Sequence, residues 1–109
     1  MTTYTQLFLA TCPDWTHRDG TAPVRVHLQL TEVDEQGGFW AVRGTTRHDN
    51  RKAGQAVFVK RDAQNNLKSD TTFVTTQEGV VYVYSDQVRR VTGQIDWDTF
   101  STIWDQVQG

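Results

Sequence analysis

The chain has 109 residues, enough for one domain (1–109) with a genuine hydrophobic core. Its 11 Lys and Arg against 13 Asp and Glu leave a net charge of −2. That balance excludes a nucleic-acid-coating protein with a dominant basic surface but leaves room for a local basic patch. Cys12 is the sole cysteine, so no internal disulfide can form.

The first ten residues carry no basic segment, and their apolar run, Leu7 to Ala10, is four residues long. They read as neither a signal peptide nor a membrane span, and a cytoplasmic location is expected. A first strand is expected over 4–11, with Leu7 and Leu9 on one face and Phe8 on the other. Residues 12–23 form a long loop of turn-forming residues. The strict alternation of Val24, Val26, Leu28 and Leu30 with Arg25, His27, Gln29 and Thr31 predicts a strand with one buried and one wet face. A turn at 34–38 leads into a returning strand at 39–46, where Gly44 marks a bulge.

A polar, basic tip follows at 47–54. Residues 55–60 read as a central strand, apolar on both faces through Val57, Phe58 and Val59. Strands at 71–76, 80–84 and 88–92 complete the β-rich part, and that at 80–84, the most apolar, is also expected to be central. The one helix is expected at about 96–108: Asp96 is a good N-cap, and Trp97, Phe100, Ile103, Trp104 and Val107 fall on one face. A helix this short is marginal alone in water, so its stripe must close the sheet's core or dock on a partner or twin subunit. The expected fold is α+β: six to seven antiparallel strands in a meander, curved into an open barrel or roll. The amphipathic C-terminal helix packs on it, plugging one end or covering the concave face.

Four constellations could carry function. Cys12, Asp14, Trp15, His17, Arg18 and Asp19 share the first loop, but one Cys five residues before a His satisfies neither zinc spacing nor a demonstrable nucleophile–base pair. Arg47, His48, Arg51 and Lys52 form a basic tip able to grip a phosphate or an acidic surface, with Lys60, Arg61 and Lys68 as further positive charge. Arg25, His27 and Arg43, with Tyr82, would hold a small anionic ligand if their face lined a cavity. Arg89 and Arg90 are expected to pair with Asp98 and Asp105.

No Gly-rich phosphate loop, nucleophile elbow, zinc-protease motif or calcium loop is present, and neither a cofactor nor a metal is expected. By elimination, the reading favoured by the sequence is a non-enzymatic accessory, adaptor or inhibitor protein. It would bind a protein partner through Trp15, His17, Arg18, Arg47, His48, Arg51 and Lys52. The alternatives are a small-molecule-binding roll using Arg25, His27, Arg43 and Tyr82, and nucleic-acid or phosphate binding through 47–52; a homodimer is compatible with each.

Overall fold

The computed structural model describes residues 6–12, 18–46 and 54–109. Seven strands precede one helix: β1 (Gln6–Thr11), β2 (Val24–Gln29), β3 (Gly38–Thr45), β4 (Ala56–Val59), β5 (Thr71–Val74), β6 (Val80–Tyr84), β7 (Val88–Gln94) and α1 (Trp97–Gln108). Every pairing is antiparallel, and the sheet is not closed. The first three strands form a meander, with Leu7 opposite Leu28 and Leu28 opposite Val42. After that the order leaves the chain sequence: β5 and β6 both pair with β3, and β7 returns to β1.

β3 holds this arrangement together. Its one edge pairs with β2, while its other edge pairs with β6 from Gly38 to Val42 and with β5 at Gly44 and Thr45. The change of partner falls at Gly44, where a Cβ would come within 2.6 Å of Thr71 Cγ2 and 2.8 Å of Val26 Cγ1. Two strands can crowd the backbone there only because no side chain intervenes.

β6 and β7 lie at opposite ends of the run β6–β3–β2–β1–β7, yet a single 3₁₀ turn of three residues joins them. So short a link requires the five strands to curl. The inside of the curl holds Phe8, Ala10, Phe39, Ala41 and Val83, with Val81 and Val88 packed against them. His27 and Arg43 share this buried side, only 1 % and 5 % exposed. The supposedly wet face of β2 is therefore the interior of the curl: strands that alternate correctly can still bury both faces once the sheet bends back on itself. Phe8 stacks on His27 with ring centroids 5.2 Å apart, and Gln29 is buried with them.

A second core lies on the outer side, built from Leu7, Leu28, Leu30, Val42, Phe73, Ile95, Phe100 and Ile103 among others. The β4–β5 hairpin and α1, which packs against β4, cover it. The helix thus caps the outer face of the curl rather than its concave side. Asp96 caps α1 as its sequence suggests, accepting from Thr99 N at 2.8 Å and from Thr99 Oγ1 at 2.9 Å; these bonds hold its carboxyl below the ordinary carboxylate range. Phe100 and Ile103 are buried, and Trp104 and Val107 are half-buried. Trp97, expected in the same stripe, is 58 % exposed, since it sits in the first turn where α1 overhangs the sheet. Two strands expected to be central are not. Among the described residues β4 pairs only with β5 and leaves Phe58 54 % exposed, and β6 pairs only with β3. No helix among the described residues is long and apolar enough to cross a membrane.

Candidate nucleic-acid interface

On the outer face, beyond the part covered by α1, β1, β2, β3, β5 and β7 surround a pocket of about 330 Å³. Its floor is apolar, from Leu9, Val24 and Val26. Its walls are cationic and hydroxyl-bearing: Lys68 and Arg90, with Thr46, Ser69, Thr71 and Thr92, while Arg25, opposite Ala10 and so on the inward face of β2, borders it between Val24 and Val26. No carboxylate lines it among the described residues. In a chain of net charge −2, a concave site with two cations and no acid among its described lining residues favours an anion.

The wall that carries Lys68 is held in place by short-range hydrogen bonds. Asn65 Oδ1 accepts from Asp62 N at 2.9 Å and Leu67 N at 3.1 Å, while Asp62 Oδ1 accepts from Asn65 N at 2.8 Å. Asn65 Nδ2 donates to the Lys60 carbonyl, and Asn66 Nδ2 donates to the Thr92 carbonyl across to β7. Asn66 itself takes the left-handed conformation, φ 52°, which Asn tolerates well. Arg61 closes the loop, its N–H on Asp70 Oδ1 at 2.9 Å and its Nη1 on the Lys68 carbonyl at 3.3 Å. Lys68 thus projects from a pre-formed loop.

One polar atom on a pocket-lining residue, Thr92 Oγ1, is shielded from solvent and has no hydrogen-bond partner among the described residues. Buried polar groups are almost always satisfied, so a donor left open beside a cationic pocket is an observation in favour of a ligand.

The residues singled out from the sequence are dispersed. Arg25 borders this pocket, but His27 and Arg43, cross-strand partners in the interior of the curl, do not. Tyr82 lies elsewhere, on the exposed surface of β3 and β6. Arg18 is exposed in a turn. Trp15, His17, Arg47, His48, Arg51 and Lys52 lie outside the described residues; Arg47 follows Thr46, a lining residue, directly in the chain. Arg90 lines the pocket, whereas Asp105, its expected partner, borders a separate groove beside α1. Cys12 does approach a histidine, its Sγ 3.6 Å from His27 Nε2, while His27 Nδ1 lies 2.9 Å from the Arg25 carbonyl. Both side chains are buried, which bars a substrate from the thiol. No group of three or more potential metal ligands occurs among the described residues. Thr92 could not have been grouped with Asn66 and Ser69 from the sequence, because only the docking of their loop on β7, through Asn66 Nδ2 to the Thr92 carbonyl and Gln94 N–H to the Gln64 carbonyl, brings them together.

No protein-family model matches the sequence, and no curated protein matches it. Solved structures do. A Mycobacterium tuberculosis toxin, MazF-mt6, superposes with a TM-score of 0.65 at 17 % identity, covering 94 % of this chain and 91 % of that one. An endoribonuclease from a mycobacterial species, solved in complex with its cognate antitoxin, superposes with a TM-score of 0.68 at 13 % identity, covering 98 % and 91 %. The non-enzymatic adaptor, accessory or inhibitor reading of the sequence is overturned here, because the architecture it attached to an adaptor is carried by a toxin and an endoribonuclease. At these identities the likeness establishes a shared fold and no more.

Proposed function

We propose that the chain binds and cleaves single-stranded RNA, with a backbone phosphate seated in the pocket of Lys68 and Arg90. The observation that carries this reading is the pocket itself: two cations, several hydroxyls, an unpartnered Thr92 Oγ1 and no carboxylate among the described lining residues, on a fold shared with an endoribonuclease. RNA carries its own nucleophile. The ribose 2′-hydroxyl attacks the adjacent phosphorus and loses its proton; the bond to the 5′-oxygen breaks and that oxygen takes up a proton. A 2′,3′-cyclic phosphate and a 5′-hydroxyl result. Negative charge builds on the phosphoryl oxygens along this path, and fixed cations facing them lower its cost. The apolar floor gives a base somewhere to rest, and the hydroxyls suit ribose contacts. The protein partner is a cognate antitoxin-like chain that covers the pocket, and the location is cytoplasmic, where RNA is at hand.

The test is cleavage of a single-stranded RNA oligonucleotide, set against the same sequence with 2′-deoxyribose. Cleavage of RNA alone, with cyclic phosphate at the new end, is expected, and Lys68→Gln and Arg90→Gln should each lower the rate by about ten-fold or more, the loss of one charge-stabilising group. Absence of both cleavage and salt-dependent RNA binding would overturn the proposal.

A further inference from the structure

A second site lies on the outer surface of β3 and β6, apart from the basic pocket and sharing none of its lining residues. Trp40 and Tyr82 are cross-strand partners, and Tyr84 follows two residues on, so three rings project from one face. Trp40 meets Tyr82 edge to face, centroids 5.4 Å apart at 70°, and Tyr84 meets it likewise at 5.2 Å and 89°. Two rings stand roughly upright on a third, making an open box. Trp40 and Tyr84 are each 48 % exposed, an unusual outlay of aromatic surface.

The central ring is fixed in place. Its hydroxyl donates to both oxygens of Asp34, at 2.8 and 2.7 Å, and the Asp34 carboxylate is in turn anchored by Gln36 N at 2.8 Å and Gly38 N at 3.3 Å. The ring lies over Gly38, where a Cβ would come within 2.5 Å of it. Only a glycine lets the phenol lie that close to the strand. Asp34 and Glu35 line the open space in front of the rings, and no cation does among the described residues.

From this geometry we infer that the box formed by Trp40, Tyr82 and Tyr84 beside Asp34 and Glu35 binds an arginine side chain presented by a partner protein. Aromatic faces attract a cation, and an arginine guanidinium stacks on them as a plane. The two carboxylates supply the complementary charge. They also repel phosphates, which argues against a base-stacking platform for RNA. The inference does not depend on the RNA reading of the basic pocket, since an acidic site and a basic one select opposite ligands.

The test follows the indole N–H resonance of Trp40 by NMR, assigned with Trp40→Phe, during titration with a short arginine-containing peptide. The control peptide carries citrulline, a neutral isostere of the same shape. Saturable shifts with arginine, about ten-fold weaker with citrulline, and equally weakened by Asp34→Asn and by the surface variant Glu35→Gln, are expected. The spectrum of each variant reports whether it is folded. Equal response to both peptides, or none to either, would overturn the inference. So would the same resonance shifting with a single-stranded RNA oligonucleotide, or with protein concentration alone, outcomes that would assign the box to bases or to a second copy of the chain.

Discussion

Tyr82 and Asp34 set each other's titration. The hydrogen bond to the carboxylate pushes the phenol up to about 12 and holds the Asp34 carboxyl below the ordinary carboxylate range. For the phenol, folding favours the protonated form, so its contribution to stability is whole below about pH 10 and fades as pH rises through about 12. For the carboxylate the sign is reversed: its contribution is present above the ordinary carboxylate pKa and fades as pH falls. Tyrosinate absorbance should therefore show one tyrosine ionising late, and Asp34→Asn should bring it back toward about 10. An unchanged titration in that variant would dissolve the pair. Gly44 poses a steric question at the same scale. Gly44→Ala would press a methyl group between Thr71 and Val26, both in contact with the pocket, and should cost about 1–3 kcal/mol by chemical denaturation.

Among elements, α1 divides its residues sharply between support and surface. Ile103 is wholly buried in the outer core, so Ile103→Ala should cost about 2–5 kcal/mol in denaturant. Asp96→Ala removes the cap that Thr99 depends on and should cost about 1 kcal/mol. Trp97 retains chiefly its stack on Phe100, centroids 5.3 Å apart, and Trp97→Ala should cost no more than about 1 kcal/mol. That ranking, isoleucine over aspartate and aspartate at or above tryptophan, puts the largest side chain last. It would fail if Trp97 proved the most costly. The helix periodicity was legible because 3.6-residue spacing needs no partner to be recognised. The exposure of Trp97 was not, because the overhang depends on where α1 meets β4.

Across the whole molecule, charge is segregated. Lys68 and Arg90 gather at one pocket, while Asp34 and Glu35 stand before the aromatic box, and the near-neutral total conceals both. RNA affinity should fall with salt, and Lys68→Gln should flatten the log–log slope by about 0.7, the value for one phosphate contact on a single strand. Glu35→Gln should leave that slope unchanged, since it lines the other site. Equal slopes for wild type and Lys68→Gln would remove Lys68 from the interface.

The sequence by itself determined the fold class, the capped C-terminal helix and most strand positions, because these follow from spacing and turn chemistry within a few residues. It also contained every residue of the basic pocket, without their grouping. Only tertiary structure decided that β5, β6 and β7 leave chain order, that the five-stranded run curls, and hence that His27 and Arg43 are interior while Arg90, opposite Leu9, reaches the pocket. Alternation assigns side chains to two faces, but the bend of the sheet decides which face meets water. The pocket joins Leu9, Arg25, Thr45, Lys68 and Arg90, which lie up to most of the chain apart, and no local pattern records such a meeting.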